Sequence, residues 1–185
     1  MNDAEYNLQR YLEIEQLLNA FFASFNYCLE HCIRPEQLKN GNRPIAACCK
    51  DRFYRLYDLD HPAFERLRHE RERLYGKPTD YTWTNPVSPC EYHDPAKGCV
   101  IVSHKSPICL AFLCRKPIDK LRTVHNIYFY DYLGINYALE WILTGDLSER
   151  DYLDLKTALV ESIPKLQNSE TFDGVVSLSF CGIGP

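Results

Sequence analysis

Cysteine thiols are the side chains of this chain whose number and spacing predict chemistry. The sequence contains nine cysteines, and eight of them fall between residues 28 and 114. A chain of 185 residues is long enough to bury a full core without disulfide staples, so small size does not explain them. Thiolates are soft ligands that select zinc and iron–sulfur clusters. The predicted metal ligands are Cys28, Cys32, Cys48, Cys49, Cys90, Cys99, Cys109 and Cys114.

The spacing of the early cysteines bears on which metal they hold. Cys28 and Cys32 are four residues apart in a predicted helix, so their sulfur atoms lie on one face, one turn apart. Cys48 and Cys49 are adjacent, and neighbouring side chains diverge. Divergent thiolates suit a cluster or two nearby ions better than one zinc ion. We therefore expect an iron–sulfur cluster, with zinc as the alternative.

The later cysteines belong to a longer pattern, "CEYHDPAKGCVIVSHKSPICLAFLC", from Cys90 to Cys114. In this pattern a cysteine, a short acidic loop and a Gly-Cys precede an isoleucine, a basic residue, a proline and a further cysteine. Together with the adjacent pair, the matching residues are Cys48, Cys49, Cys90, Gly98, Cys99, Ile101, Lys105, Pro107 and Cys109, with Cys114 following. The pattern resembles the YkgJ-like cysteine-cluster family, a zinc- or iron-chelating domain.

The resemblance implies a metal-binding protein whose cysteines hold the ion or cluster. Some proteins that resemble this family carry the domain beside a protein lysine methylation activity. Because the good ligand candidates are all thiolates, which fill a closed site, we expect a structural or redox-sensing role that acts through a protein partner. A metal-dependent enzyme, linked to protein lysine methylation, is the alternative.

Four other residues bear on the predicted metal site. His93 stands three residues after Cys90 at chelate spacing, although a loop histidine is by default solvated. If His93 or Asp94 reached the metal, the site would be open and would have room for a bound water. His31 points away from its cysteine neighbours and is expected in solvent, and Cys181 in an apolar tail is expected to be simple core.

The elements that must position the cysteines are mostly helices. The first helix is predicted from residue 4 to about residue 31, because apolar residues recur at steps of three and four. Further helices are predicted from Pro62 to about Gly76, from Ile118 to Leu143 and from Ser148 to about Ser162. The apolar face of the first helix comprises Tyr11, Ile14, Leu18, Phe21, Phe22, Phe25 and Cys28.

The segments between these helices are expected to be loop-rich. Residues 98–116 suggest a strand, a turn and a short helix, whereas residues 79–99 are rich in Pro, Thr, Asn and Ser. A bound metal would order that loop. The fold class is therefore mainly α: a helical scaffold with a loop-rich, cysteine-ligated metal-binding core. We expect one domain over 1–185, with the cysteine core at 28–114 and a C-terminal helical part at 118–167.

Composition and charge limit the classes of partner and the cellular compartment that we expect for this protein. The formal net charge of −4 argues against nonspecific nucleic-acid binding. The basic run from Arg66 to Arg73 is interleaved with glutamates, which predicts a solvated helix face with internal ion pairs rather than a phosphate or RNA patch. No apolar run reaches the roughly 18 residues that span a bilayer, and no secretory signal is recognised. We expect a cytoplasmic protein, whose thiols stay reduced and do not form a disulfide framework.

Overall fold

The computed structural model describes residues 3–45, 52–56, 60–81 and 90–169, and in these ranges the chain is mainly helical, as predicted. Cys48, Cys49 and Cys181 lie outside the described residues. The helices are α1 (Asp3–Ser24), α2 (Arg34–Lys39), α3 (Pro62–Tyr75), α4 (Pro107–Ala111), α5 (Arg115–Thr123), α6 (Tyr132–Thr144) and α7 (Glu149–Ser169). Two short strands follow α3 in the chain, β1 (His93–Asp94) and β2 (Gly98–Cys99). None of the helices in these ranges has the length and apolar character that a bilayer crossing requires.

Helices α1, α6 and α7 pack together around the main hydrophobic core. Arg10 of α1 lies 3.1 Å from Glu149 at the start of α7, and Gln167 near the end of α7 donates a 3.3 Å hydrogen bond to Ser24. These two contacts show that α1 and α7 run in the same direction. The predicted apolar face of α1 is confirmed, because Tyr11, Ile14, Leu18 and Phe21 are fully buried in this core.

The first helix is shorter than predicted. It ends at Ser24, and the chain then continues through a π-helical turn, Leu29–Ile33, into α2. Pro35 stands in the first turn of α2. The first turn is the place where a helix tolerates proline, because no intrahelical partner awaits its missing N–H.

The single helix predicted from Ile118 to Leu143 is wrong, because the chain forms two helices there. Helix α5 ends at Thr123, Asn126 takes a left-handed conformation with φ of 55°, and α6 begins only at Tyr132. Asp131 caps α6 by accepting the N–H of Gly134 at 2.9 Å. A helical period alone did not reveal this break, since Tyr130 inside it is as deeply buried as the helical residues.

The last helix begins as predicted and ends later than predicted. Ser148 precedes α7 and accepts the N–H of Asp151 at 3.1 Å, which is the expected capping arrangement. The helix then continues past Pro164 to Ser169. Leu166, beyond the proline, is fully buried in the main core, so tertiary packing stabilises the part of the helix that follows Pro164.

A smaller core lies beside the β-hairpin. β1 and β2 are antiparallel, with His93 opposite Cys99 and Asp94 opposite Gly98. Four residues form this second cluster, Tyr54, Cys90, Tyr92 and Ile101, and Cys109 packs against it. The predicted order of strand, turn and short helix after Gly98 is confirmed by β2 and α4.

Candidate metal centre

The hairpin that carries Cys90 and Cys99 is closed by an acidic turn. Asp94 accepts the backbone N–H groups of Ala96 and Lys97 at 2.6 and 2.8 Å, which is the short-range bonding that makes aspartate a turn residue. Gly98 has a φ of 85°, a conformation that other residues adopt only with strain. The turn therefore uses the Asp94 carboxylate and a glycine to return the chain, so that Cys99 lies opposite His93.

The thiols of Cys90 and Cys99 are electrostatic neighbours in different surroundings. Cys90 is buried, and burial is the main cause that raises the pKa of its thiol to about 11. A negative charge on Cys99 raises it further, whereas Arg52 acts in the opposite direction. Cys99 is exposed. At neutral pH in the absence of metal Cys90 is therefore a protonated thiol, and a metal that binds it must displace the proton.

His93 is buried, so the expectation of a solvated loop histidine is wrong. Burial lowers the pKa of its ring, and the ring donates a hydrogen bond to the backbone carbonyl of Ile45. The imidazole is thus neutral at pH 7 and holds the hairpin against the chain that leads to the cysteine pair. His31 is exposed as expected, with its ring 4.4 Å from that of Tyr27.

Both described ends of the segment that contains the adjacent cysteines lie against the hairpin. Before the segment, Ile45 accepts the hydrogen bond from His93, and a β-carbon built on Gly98 would lie 3.6 Å from Pro44. After the segment, the Arg52 guanidinium lies 3.2 Å from the Glu91 carboxylate. The residues on either side of Cys48 and Cys49 are therefore bound to the same hairpin.

The loop between the hairpin and α4 is fixed by α1. Glu15, almost completely buried, accepts the backbone N–H groups of His104 and Lys105 at 2.8 and 3.1 Å. Tyr11 donates to the Lys105 carbonyl at 2.6 Å, and the Lys105 ammonium donates to Asn19 at 3.0 Å. The basic residue of the cysteine pattern thus binds the helical scaffold. Sequence analysis missed Glu15, although its position four residues after Tyr11 on the apolar face was a signal.

Arg71 is the other functional candidate that sequence analysis missed. Only part of the basic run forms the predicted solvated face, where Arg73 and Glu70 pair at 2.8 Å. Arg71 is instead 2% exposed, on the same face of α3 as the buried Phe64 and Leu67. The spacing of these three residues was the signal that could have placed it inside.

Cys109 and Cys114 follow the hairpin in the next two helices. Cys109 is half-buried in the first turn of α4, its N–H donates to the Ser106 hydroxyl at 3.4 Å, and it packs against the second cluster. Cys114 is half-buried at the N-cap position of α5. The structure therefore brings Cys90, Cys99 and Cys109 to one region, and no described contact joins Cys114 to them.

Cys28 of the early pair lies at the main core. Cys28 is half-buried against the main cluster, near enough to Tyr130 for a thiolate to raise the pKa of that tyrosine further, beyond the larger effect of burial. Cys32 is half-buried in the π-helical turn. Docking of the apolar face of α1 therefore carries Cys28 inward, toward the main core rather than the hairpin cluster. The ligand role of both residues stays a prediction.

Among the described residues, no disulfide joins two cysteines. Within the described ranges no three His, Cys, Asp or Glu side chains lie close enough to hold a metal ion. The resemblance to the YkgJ-like family rests on the cysteine pattern itself, because comparison of the chain with protein-family models, with curated proteins and with solved structures finds no match.

Proposed function

We propose that this protein binds a metal centre through clustered cysteine thiolates and uses it in a structural or redox-sensing role. The ligands are Cys90 and Cys99 of the hairpin together with Cys48 and Cys49. The observation that carries the proposal is the attachment of Ile45 and Arg52, on the two sides of the cysteine pair, to the hairpin whose two thiols are already neighbours.

Chain length supports this ligand set. Cys48 is three residues after Ile45, and Arg52 is three residues after Cys49, so each connection spans at most about 10 Å. Four thiolates are the ligand set of a structural zinc ion and of an iron–sulfur cluster. We place the cluster first, because the adjacent pair suits separate iron positions, and zinc second. Cys109, packed on the same small core, is a further thiolate within this region.

The surrounding residues define what the centre does. A bound iron–sulfur cluster would supply a reversible electron store, and a bound zinc ion would supply a permanent cross-link. The chain supplies thiolates, a hairpin whose turn is closed by Asp94, and the His93 contact that orients the hairpin on Ile45. Because ligands must lose their protons, metal uptake releases protons and strengthens as pH rises toward the raised pKa of Cys90.

The contacts of Asp94 and His93 favour a closed centre, in which the protein supplies every ligand, over an open catalytic centre. An open catalytic site would need a carboxylate or imidazole turned toward the metal and its water. Asp94 already accepts two N–H groups of its own turn, and the ring of His93 donates to Ile45.

The test is anaerobic purification followed by iron, zinc and acid-labile sulfide analysis with a visible absorption spectrum. Cys90→Ser and Cys99→Ser should each lower bound metal at least tenfold, whereas Cys181→Ser, in the apolar tail, should retain it. Stoichiometric zinc in a colourless protein without sulfide would replace the cluster by zinc. Metal content that is unchanged in both hairpin variants would refute the ligand set.

A further inference from the structure

Arg71 is a buried cation beneath the hairpin. Its side chain comes from α3, and its guanidinium carbon lies 5.7 Å from the ring centre of Tyr54 and 5.8 Å from that of Tyr92. Nη1 donates to the Tyr54 carbonyl at 2.8 Å, and the guanidinium also donates to the Tyr92 hydroxyl, which in turn donates to the Gly76 carbonyl at 2.9 Å. The two rings that enclose the cation belong to the same small cluster as Cys90.

Among the described residues, no carboxylate balances the charge of Arg71. In the described part of the chain no ion pair joins Arg71 to an aspartate or glutamate. Its Nε–H is buried and has no hydrogen-bond acceptor there. Buried charges are otherwise paired, because removal of an ion from water is costly. Two tyrosine faces and neutral acceptors attract the cation, but they do not neutralise it.

A metal centre bound by thiolates would supply a negative charge to partner Arg71. A divalent ion bound by four thiolates carries an overall negative charge, and so does a cluster with four cysteine ligands. Tyr92 links Arg71 to Cys90, which is two residues earlier in the chain and in the same cluster. The Tyr11 hydroxyl experiences the charges of Glu15, Cys109 and Arg71, so the third thiol of this region and the cation both lie near that hydroxyl.

We propose that Arg71 is the counter-charge of the metal–thiolate centre, held in place by the rings of Tyr54 and Tyr92. This inference rests on the proposed metal function and deepens it, because it assigns a net negative centre to the side of the hairpin that faces α3. Arg71 is a positioning residue that does not bind the metal. It stabilises the loaded centre through space and through the tyrosine hydroxyl network.

A purely structural arginine would behave differently from a counter-charge. Removal of a structural arginine lowers the stability of the protein with and without metal. Removal of an unbalanced buried charge leaves the metal-free protein as stable as before or more so, because its desolvation is no longer required. The metal-loaded protein, in contrast, loses the attraction between the cation and the anionic centre.

The experiment measures Zn²⁺ affinity by competition with a chromophoric chelator under reducing, anaerobic conditions, and thermal stability with and without Zn²⁺. Arg71→Met removes charge and donors, Arg71→Gln removes charge and keeps donors, and Arg71→Lys keeps the charge. Arg73→Met, at an exposed position of the same helix, is the matched control. Arg71→Met and Arg71→Gln should weaken Zn²⁺ binding by roughly 10- to 100-fold, the range found for groups just outside a metal's ligands.

The outcomes separate this inference from the function on which it rests. Support consists of weakened Zn²⁺ binding in Met and Gln variants whose metal-free melting temperatures are unchanged or higher, with recovery of most of the affinity in Arg71→Lys. If Arg71→Met does not fold, Arg71→Gln carries the same comparison. Wild-type Zn²⁺ affinity in the Gln variant, or lower stability only in the metal-free state, would overturn the counter-charge. A wild-type protein that binds neither Zn²⁺ nor a cluster would refute the proposed function, and the counter-charge with it.

Discussion

The helical bundle and the hairpin region are stabilised in different ways. The main core is built from apolar side chains of most of the helices, and the charges beside it have partners, such as Glu13 with Lys156 and Arg10 with Glu149. The hairpin cluster has four buried residues, two of them tyrosines and one a cysteine, above a cation without a carboxylate partner in the described chain. Apolar burial scales with the area removed from water, so the small cluster gains far less from it than the bundle. The hairpin region would therefore gain more stability than the bundle from a cross-link such as the proposed metal centre.

The largest expected effect is the loss of stability caused by a substitution in the core of the helical bundle. Phe21 is fully buried and stacks on Tyr130 with ring centres 5.4 Å apart. Phe21→Ala should lower the free energy of unfolding by about 3–5 kcal/mol, because it removes transfer energy and leaves a cavity. Metal content of the folded protein should be unchanged. Urea unfolding measures the first effect, with Leu38→Ala at an exposed site as the control that stays within about 0.5 kcal/mol.

The next effect concerns the thiols of the hairpin. Since burial raises the pKa of Cys90 from 9.0 to about 11, the metal-free protein at pH 8 should alkylate Cys90 about 100-fold more slowly than an unperturbed thiol. The rate should rise about tenfold per pH unit until the pH approaches that pKa. Iodoacetamide labelling followed by mass spectrometry measures it, and the exposed Cys99 should react first. In guanidinium chloride the two residues should be labelled equally. Equal labelling in the folded protein would contradict the buried environment of Cys90.

A smaller effect should weaken the hairpin without touching a ligand. Gly98→Ala introduces a β-carbon at a φ of 85°, which should cost about 1–2 kcal/mol of local stability and lower metal affinity. Gly41→Ala is the matched control, because its φ is 65° and open space surrounds it. The control should show similar strain in unfolding experiments with normal metal affinity. A metal titration in which both variants bind like wild type would show that the turn is not needed to place Cys99.

The smallest effect lies at the surface of the bundle. The hydrogen bond from Lys156, followed by that from Tyr152, lowers the pKa of Glu13. A depressed carboxyl pKa adds stability above the unfolded value of about 4.5, and this is lost as pH falls through the lowered folded pKa. Because the Glu13 side chain is 44% exposed, Glu13→Gln should cost less than about 1 kcal/mol at pH 7. Urea unfolding should show that the difference disappears at strongly acidic pH, while Glu161→Gln, on the exposed face of α7, changes little at either pH.

Local pattern predicted the elements whose boundaries carry their own chemical signals. Helix α3 was predicted because Pro62 opens it and Gly76 ends it, and the start of α7 because Ser148 caps it. The break between α5 and α6 was not predicted, since its buried aromatic residues continue the apolar spacing of a helix. Whether such a run stays helical depends on the core that receives it.

The sequence by itself determined the mainly helical class, the amphipathic face of α1 and the grouping of thiols around the pattern from Cys90 to Cys109. These features follow from local periodicity and from covalent spacing, which need no distant partner. Only the tertiary structure decided that His93 is buried on Ile45, that Glu15 binds the loop before α4, and that Arg71 lies beneath the hairpin. Each of these polar side chains is placed by segments far away in the chain, because burial of a charge or an imidazole depends on which partners the fold brings to it.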